Sequence, residues 1–155
     1  MIKHLKYLCY LLRHKWLVLV AGLRLGVPIK QLVLHDMSKF RRDEWIPYVH
    51  HFYSPVDNTS EFEAAWNKHC QRNAHHWEFW VWKLYHRRKA LEIPREYLLE
   101  MVADWAAMGY GLTGDWGNIW DWWQKTNHTM QLHPNTRKAI WGLLAEHDFG
   151  AWNGK

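Results

Sequence analysis

Apolar residues recur at helical spacing from the start of the chain. Leu5, Leu8, Leu11, Leu12, Val18 and Leu19 predict a helix over 2–25, and Gly26 ends it. Pro28 is tolerated in a first helical turn, so it opens a short helix, PIKQLVLHDM, with His35 and Asp36 near its last turn. A third helix is predicted over 41–53, with Pro47 early in it and SPVDNTS as the loop that follows. Ser60 and Glu63 form an S-x-x-E capping box for the helix EFEAAWNKHCQRN. The pattern leaves open whether that helix runs on through AHHWEFWVWKLYH or breaks at 73–75. Pro94 opens the most regular helix, PREYLLEMVADWAAMGYG, which Gly109 and Gly111 are expected to stop. Beyond 111 the chain reads as loop-rich and Trp-rich, and Asn135 or Thr136 caps a last helix through about Glu146. Strand alternation is confined to EFWVWKLY at 78–85, and there is no internal repeat.

The expected class is therefore all-α: a single compact domain over 1–155, a bundle of about six or seven helices, with the Trp-rich segment 112–155 packing on it. At 155 residues such a domain buries roughly two-thirds of its unfolded surface and needs no disulfide to fold. The 13 Trp chiefly signal a large core, whereas the 12 His have to be read by position. The net charge of +5 is concentrated early: nine Lys and Arg precede residue 46, against Asp36, Asp43 and Glu44. A basic N-terminal third favours an anionic partner, such as a phosphate ester, a nucleotide or nucleic acid. Cys9 and Cys70 make no CxxC and no framework, which points to a reducing, cytoplasmic setting. The longest apolar run, WLVLVAGL at 16–23, falls short of the roughly 18 residues a membrane span needs. The interruption by RHK at 13–15 also speaks against a secretory leader.

Several potential ligands fall on apolar helix faces. His14 shares its face with Tyr7, Leu11, Val18 and Ala21, so it points inward; alone it reads equally as a core histidine bonded to a carbonyl. Asp104 lies on the buried stripe of its helix, with Met101, Ala107 and Met108. There a carboxylate requires a cation, a metal or several N–H donors. His69 shares a face with Trp66, Asn73 and His76 if the helix is unbroken, with His75 turned aside. In chain order the set is His14, His35–Asp36, His69, His75–His76, Asp104. Imidazoles and carboxylates bind Fe, Mn, Co, Ni or Zn, and helical bundles build such sites from facing helices.

This H…HD…H…HH…D order resembles the HD-domain superfamily of metal-dependent phosphohydrolases. HDMSK is similar to the HDxGK motif of its cyclic-dinucleotide phosphodiesterase branch, although Ser38 stands at the glycine and the GYP signature is absent. The chain as a whole also resembles a small family found in phages and bacteria, through HDMSKF, HCQRNAHHW and MVADW, which brings no known activity. The first resemblance implies one divalent transition metal held by His14, His35, Asp36 and Asp104. It also implies a second metal that shares Asp36 as a bridge and takes His69 plus His75 or His76. The implied activity is hydrolysis of a nucleotide or related phosphoester by a metal-activated water. Lys39 and Arg72 are the candidates to bind phosphate oxygens, and Glu44 to hydrogen-bond a ligand histidine or cap a helix. Two other readings remain open. Some HD-fold proteins use the same ligands for di-iron oxygenase chemistry. A non-catalytic nucleic-acid or protein-binding module would instead use HHWEFWVWKLYHRRK, whose aromatics could also be core and whose HRRK a solvated face. A homo-oligomer through the Trp-rich segment is compatible with each.

Overall fold

A computed structural model describes residues 2–55 and 57–154. Val56, in the loop predicted from SPVDNTS, and the two terminal residues lie outside the described residues. The fold is all-α apart from one small hairpin. Its elements are α1 (Ile2–Arg24), α2 (Ile29–Leu34), α3 (Arg42–Tyr53), α4 (Thr59–Arg72), β1 (Val81–Leu84), β2 (Arg87–Ala90), α5 (Arg95–Thr113), α6 (Asn118–Thr126) and α7 (Pro134–Glu146), with short 3-10 turns between several of them.

The central contact is α1 against α5. Helix α5 is apolar nearly all round and carries Ala103, Ala106 and Ala107 fully buried, small side chains that let α1 approach closely. The larger core joins the second half of α1 to α2, α5, α6 and α7 through Val18, Leu32, Met101, Val102, Trp123 and Ile140. A smaller core, around Tyr7, Leu11, Tyr48, Val49 and Ala65, joins the first half of α1 to α3 and α4. His14 sits on α1 between Leu11 of one core and Val18 of the other, at the seam between them.

Several elements differ from expectation, and the end of α4, which the pattern leaves open, falls at Arg72. Helix α4 begins at Thr59, where Asp57, not the Ser60–Glu63 box, accepts the Thr59 amide at 2.9 Å. It ends at Arg72, because Asn73 turns extended and its side chain takes the His69 carbonyl at 2.8 Å. Helix α5 passes through Gly109 and Gly111 and stops at Gly114, which adopts the left-handed conformation at φ 74°. The Trp-rich stretch beyond it forms α6, whose Ile119 and Trp123 enter the larger core. The last helix is capped by His133, which accepts the Asn135 amide at 3.2 Å.

Candidate metal centre

The HD pair owes its geometry to a break in the helix. Adjacent residues on a continuous helix point about 100° apart, so they cannot both face one centre. Helix α2 ends at Leu34, His35 is extended, and Asp36 adopts the left-handed conformation at φ 58°. A non-glycine residue there stores about 1–3 kcal/mol, a strain that clusters at functional sites. Its effect is to bury both His35 and Asp36 facing the seam.

Around them the seam collects His14 from α1, His69 from α4, His75 and His76 from the turn after α4, and Asp104 from α5. The Asp36 carboxylate divides between two groups. Its Oδ1 lies 3.2 Å from His69 Nε2 and 3.4 Å from His75 Nε2. Its Oδ2 lies 3.6 Å from both His14 Nε2 and His35 Nε2. Asp104 Oδ1 faces the second group, 3.0 Å from His14 Nε2 and 3.7 Å from His35 Nε2. Ligand atoms of Asp36, His69, His75 and His76 lie within 4.8 Å of one another, and those of His14, His35 and Asp104 do likewise. Both members of the HH pair therefore reach the first group.

A ring of outer partners fixes the imidazoles. Glu100 Oε1 contacts His35 Nδ1 at 2.8 Å and His75 Nδ1 at 3.2 Å. Glu44 Oε2 contacts His69 Nδ1 at 2.9 Å. An ionised carboxylate can only accept, so each Nδ1 carries a hydrogen, and the Nε2 lone pair of a neutral ring is left facing the centre. Ser38 donates to Glu44 Oε2 at 2.8 Å and accepts from Asn73 Nδ2 at 2.8 Å. Gln31 donates to the second oxygen of Glu100. Lys15 donates to the His35 carbonyl, tying α1 to the end of α2.

Of the two cations expected at phosphate, Lys39 is half-buried and bonded to Asp36 Oδ2 at 2.6 Å. Arg72 lies one residue farther out: it holds Glu44 Oε1 at 2.7 Å and Asp43 Oδ2 at 2.7 Å. Glu100 was not singled out by the sequence, since a glutamate inside a helix ordinarily faces solvent. Its spacing of four residues from Asp104 was the available signal, because it repeats the carboxylate on the same buried face.

Burial opposes every charge here, and the pairings outweigh it. Burial would raise Asp36, but Lys39 and His35, with His14 and His69, hold it well below the ordinary carboxylate range. Burial likewise opposes Asp104, which His14 and His35 keep low. Glu100 is pulled down to about 2 against its burial by His35 and His75. Despite burial, Asp104 and Asp36 raise His14 to about 8, while Asp36, Asp104 and Glu100 raise His35 to about 9. His76 goes the other way, pushed well below normal by burial and by the neighbouring His75 and His69.

Two features fit a cation. Five buried atoms, His35 Nε2, Asp36 Oδ1, His69 Nε2, His75 Nε2 and His76 Nε2, make no hydrogen bond. The Asp36 Oδ1 approaches to His69 and His75 are close but misaligned for one. At about 1–3 kcal/mol each, such orphans together would cost as much as a typical domain's whole stability, unless one ligand satisfies them jointly. In addition, Asp36, Glu44, Glu100 and Asp104 bring four buried carboxylates, while among the described residues only Lys39 and Arg72 pair with them as permanent cations. A divalent ion matches that excess.

A cleft of about 340 Å³ reaches the centre, with His76 and Asp104 in its wall beside Trp66, Trp77, Trp105 and Trp122. A second recess of about 440 Å³ is lined by Lys30, Gln31, His35, Arg72, His75 and Glu100. A surface groove of about 730 Å³ around Lys3, Lys6 and Phe52 includes no residue of the cluster.

Fold and site together define a helical protein built round a buried histidine–carboxylate cluster whose ligand atoms could hold a metal ion. The chain belongs to a family of unknown function, DUF5662, which matches residues 3–145. No curated protein and no solved structure matches it. Among the described residues no helix is long and apolar enough to cross a membrane.

Proposed function

We propose that the protein is a metal-dependent phosphohydrolase acting on a nucleotide or a related phosphoester. The observation that carries this reading is the division of Asp36, one oxygen toward His69 and His75 and the other toward His14 and His35. A single buried carboxylate placed between two groups of imidazoles is the arrangement that a pair of cations shares. His14, His35, Asp36 and Asp104 would hold one ion, and Asp36, His69, His75 and His76 the other. The ligand order of the HD-domain superfamily, which the sequence resembles, supports the same assignment. Divalent ions bound there supply an acidified water and neutralise the charge of a phosphoryl group.

The chain's own residues do the rest. Glu100 and Glu44 keep the Nε2 atoms aimed inward. Lys39 fixes Asp36 through Oδ2 and adds positive charge beside the place a phosphoryl oxygen would occupy. Arg72 positions Glu44. The four-tryptophan cleft beside His76 and Asp104 offers aromatic faces to a nucleobase and keeps bulk water from the centre.

The test is elemental analysis of protein purified without a metal-affinity tag, followed by phosphate release from deoxynucleoside triphosphates, monophosphates and cyclic dinucleotides with Mn, Co, Ni, Fe or Zn. At least one transition metal per chain is expected, lost in Asp36→Ala, together with phosphate release that needs the metal. A metal-free protein whose stability ignores all five ions would overturn the site. A coloured, iron-loaded, redox-active protein that releases no phosphate would overturn hydrolysis in favour of oxygenase chemistry.

A further inference from the structure

Immediately after the HH pair the chain leaves the helical body as the hairpin β1–β2. Trp77 and Trp80 pack against the larger core, but every residue from Trp82 to Lys89 is exposed. The aromatic and basic run is therefore split in two, and its second half contributes nothing to the core. The strands pair Trp82 with Lys89, Lys83 with Arg88 and Leu84 with Arg87. Tyr85 stands at the tip in the left-handed conformation, φ 50°, and is 94% exposed; Trp82 is 48% exposed.

Two properties of this arm make little sense for folding alone. An isolated two-stranded hairpin is marginally stable in water, and like charges directly opposite one another weaken it further. Yet Lys83 faces Arg88, and Arg87 and Lys89 add two more positive charges. Among the described residues no carboxylate lies within ion-pair distance of any of the four, although other surface cations, Arg41 and Lys68, do find one in Asp43. The repulsion becomes an attraction once a polyanion lies along the strands.

We propose that this hairpin is a binding arm for single-stranded nucleic acid. Arg87 and Lys89 lie on the same face about 6.8 Å apart, two residues of strand rise, a spacing comparable to that of successive phosphates along an extended strand. On that face Trp82 stands directly opposite Lys89 and Leu84 opposite Arg87, and Tyr85 caps the tip, so exposed rings adjoin the two cations and can stack unpaired bases, while Lys83 and Arg88 project from the other face. An anionic membrane fits less well. Trp82 and Leu84 each sit opposite a cation, and the tip is Tyr85–His86, so no continuous apolar wedge exists to enter a bilayer. This proposal stands apart from the metal centre and does not depend on it.

Fluorescence anisotropy of an end-labelled oligothymidylate, titrated with the full-length protein at several salt concentrations, tests it. Phosphate contacts from Arg87 and Lys89 give a log–log salt slope of about −1.4. Arg87→Gln combined with Lys89→Gln should remove most of that slope. Trp82→Ala combined with Tyr85→Ala should weaken binding about tenfold and leave the slope unchanged. Chelator-treated protein should bind as the untreated protein does, which separates the arm from the metal site. Removing Arg87 and Lys89 also lowers the repulsion within the hairpin, so the unfolding midpoint of that variant should not fall, which verifies that it is folded. The proposal fails if the protein shows no salt-dependent binding, if binding ignores the hairpin substitutions, or if chelator treatment abolishes it. It fails equally if phosphatidylserine vesicles capture the protein through these cations while the oligonucleotide does not.

Discussion

Ser38 stands where the HDxGK motif has glycine, and the backbone explains why a side chain is accepted there. The left-handed residue of the turn is Asp36, and Ser38 has no positive φ to accommodate. Its hydroxyl instead joins Glu44 to Asn73 and so steadies the carboxylate that holds His69. Ser38→Ala should cost about 1 kcal/mol through the lost hydrogen bond and weaken metal binding modestly. Glu100 carries more, because one oxygen holds both His35 and His75, which belong to different groups. Glu100→Gln should therefore lower affinity toward the 10- to 100-fold range of outer-partner substitutions while the fold is retained. Cobalt titration against a competing chelator reads both. Affinity unchanged in Glu100→Gln would remove its assigned role of orienting the ligands.

The seating of α2 on α1 sets where the HD pair lies, and it depends on Gly22. A Cβ there would stand 2.2 Å from Leu32 Cδ2 and 3.0 Å from Cδ1, and Leu32 is fixed in the core at 2% exposure. Gly22→Ala gains up to about 1 kcal/mol of helix propensity but overpacks the contact at about 1–3 kcal/mol. The expected net effect is destabilisation near 1 kcal/mol in denaturant unfolding, with a larger fall in metal affinity because α2 shifts with His35 and Asp36. A variant as stable as the parent and equally metal-competent would show that α2 is not held by this contact. Element by element, the sequence was legible where periodicity and punctuation agree: Gly26 ends α1 and Pro94 precedes α5 as expected. It was misleading where a local signal competed with packing. Gly109 and Gly111 lie inside α5, with Tyr110 between them packed against the larger core, and NIWDWWQKT is helical because Ile119 and Trp123 are drawn into that core. The site's histidines and aspartates stood out by their inward positions, and the resemblance already implied Asp36 as a bridge, whereas Glu100 needed the break in α2 and the turn at Asn73 to be seen.

At the scale of the whole molecule the cluster ties stability to pH and to metal together. In the metal-free protein His14 and His35 are raised to about 8 and about 9 from an ordinary value near 6.5. A histidine raised in the folded state stabilises fully below its unfolded value, and that contribution is lost as pH climbs through the folded values. His76 is depressed instead, so it penalises folding only below its unfolded value. The metal-free protein should therefore be most stable near pH 6–7 and lose stability between about 6.5 and 9. Metal binding runs the opposite way. Coordination requires the Nε2 lone pairs and so displaces the protons held by His14 and His35, which makes affinity rise across that same interval. The gain in melting temperature on adding metal should accordingly widen from pH 6.5 to pH 9. Scanning calorimetry of chelator-treated and metal-reconstituted protein at both ends of the interval measures it. A gain that is flat or narrows toward alkaline pH would mean that these imidazoles do not exchange protons for a cation, and the two-group centre would have to be abandoned as a metal site.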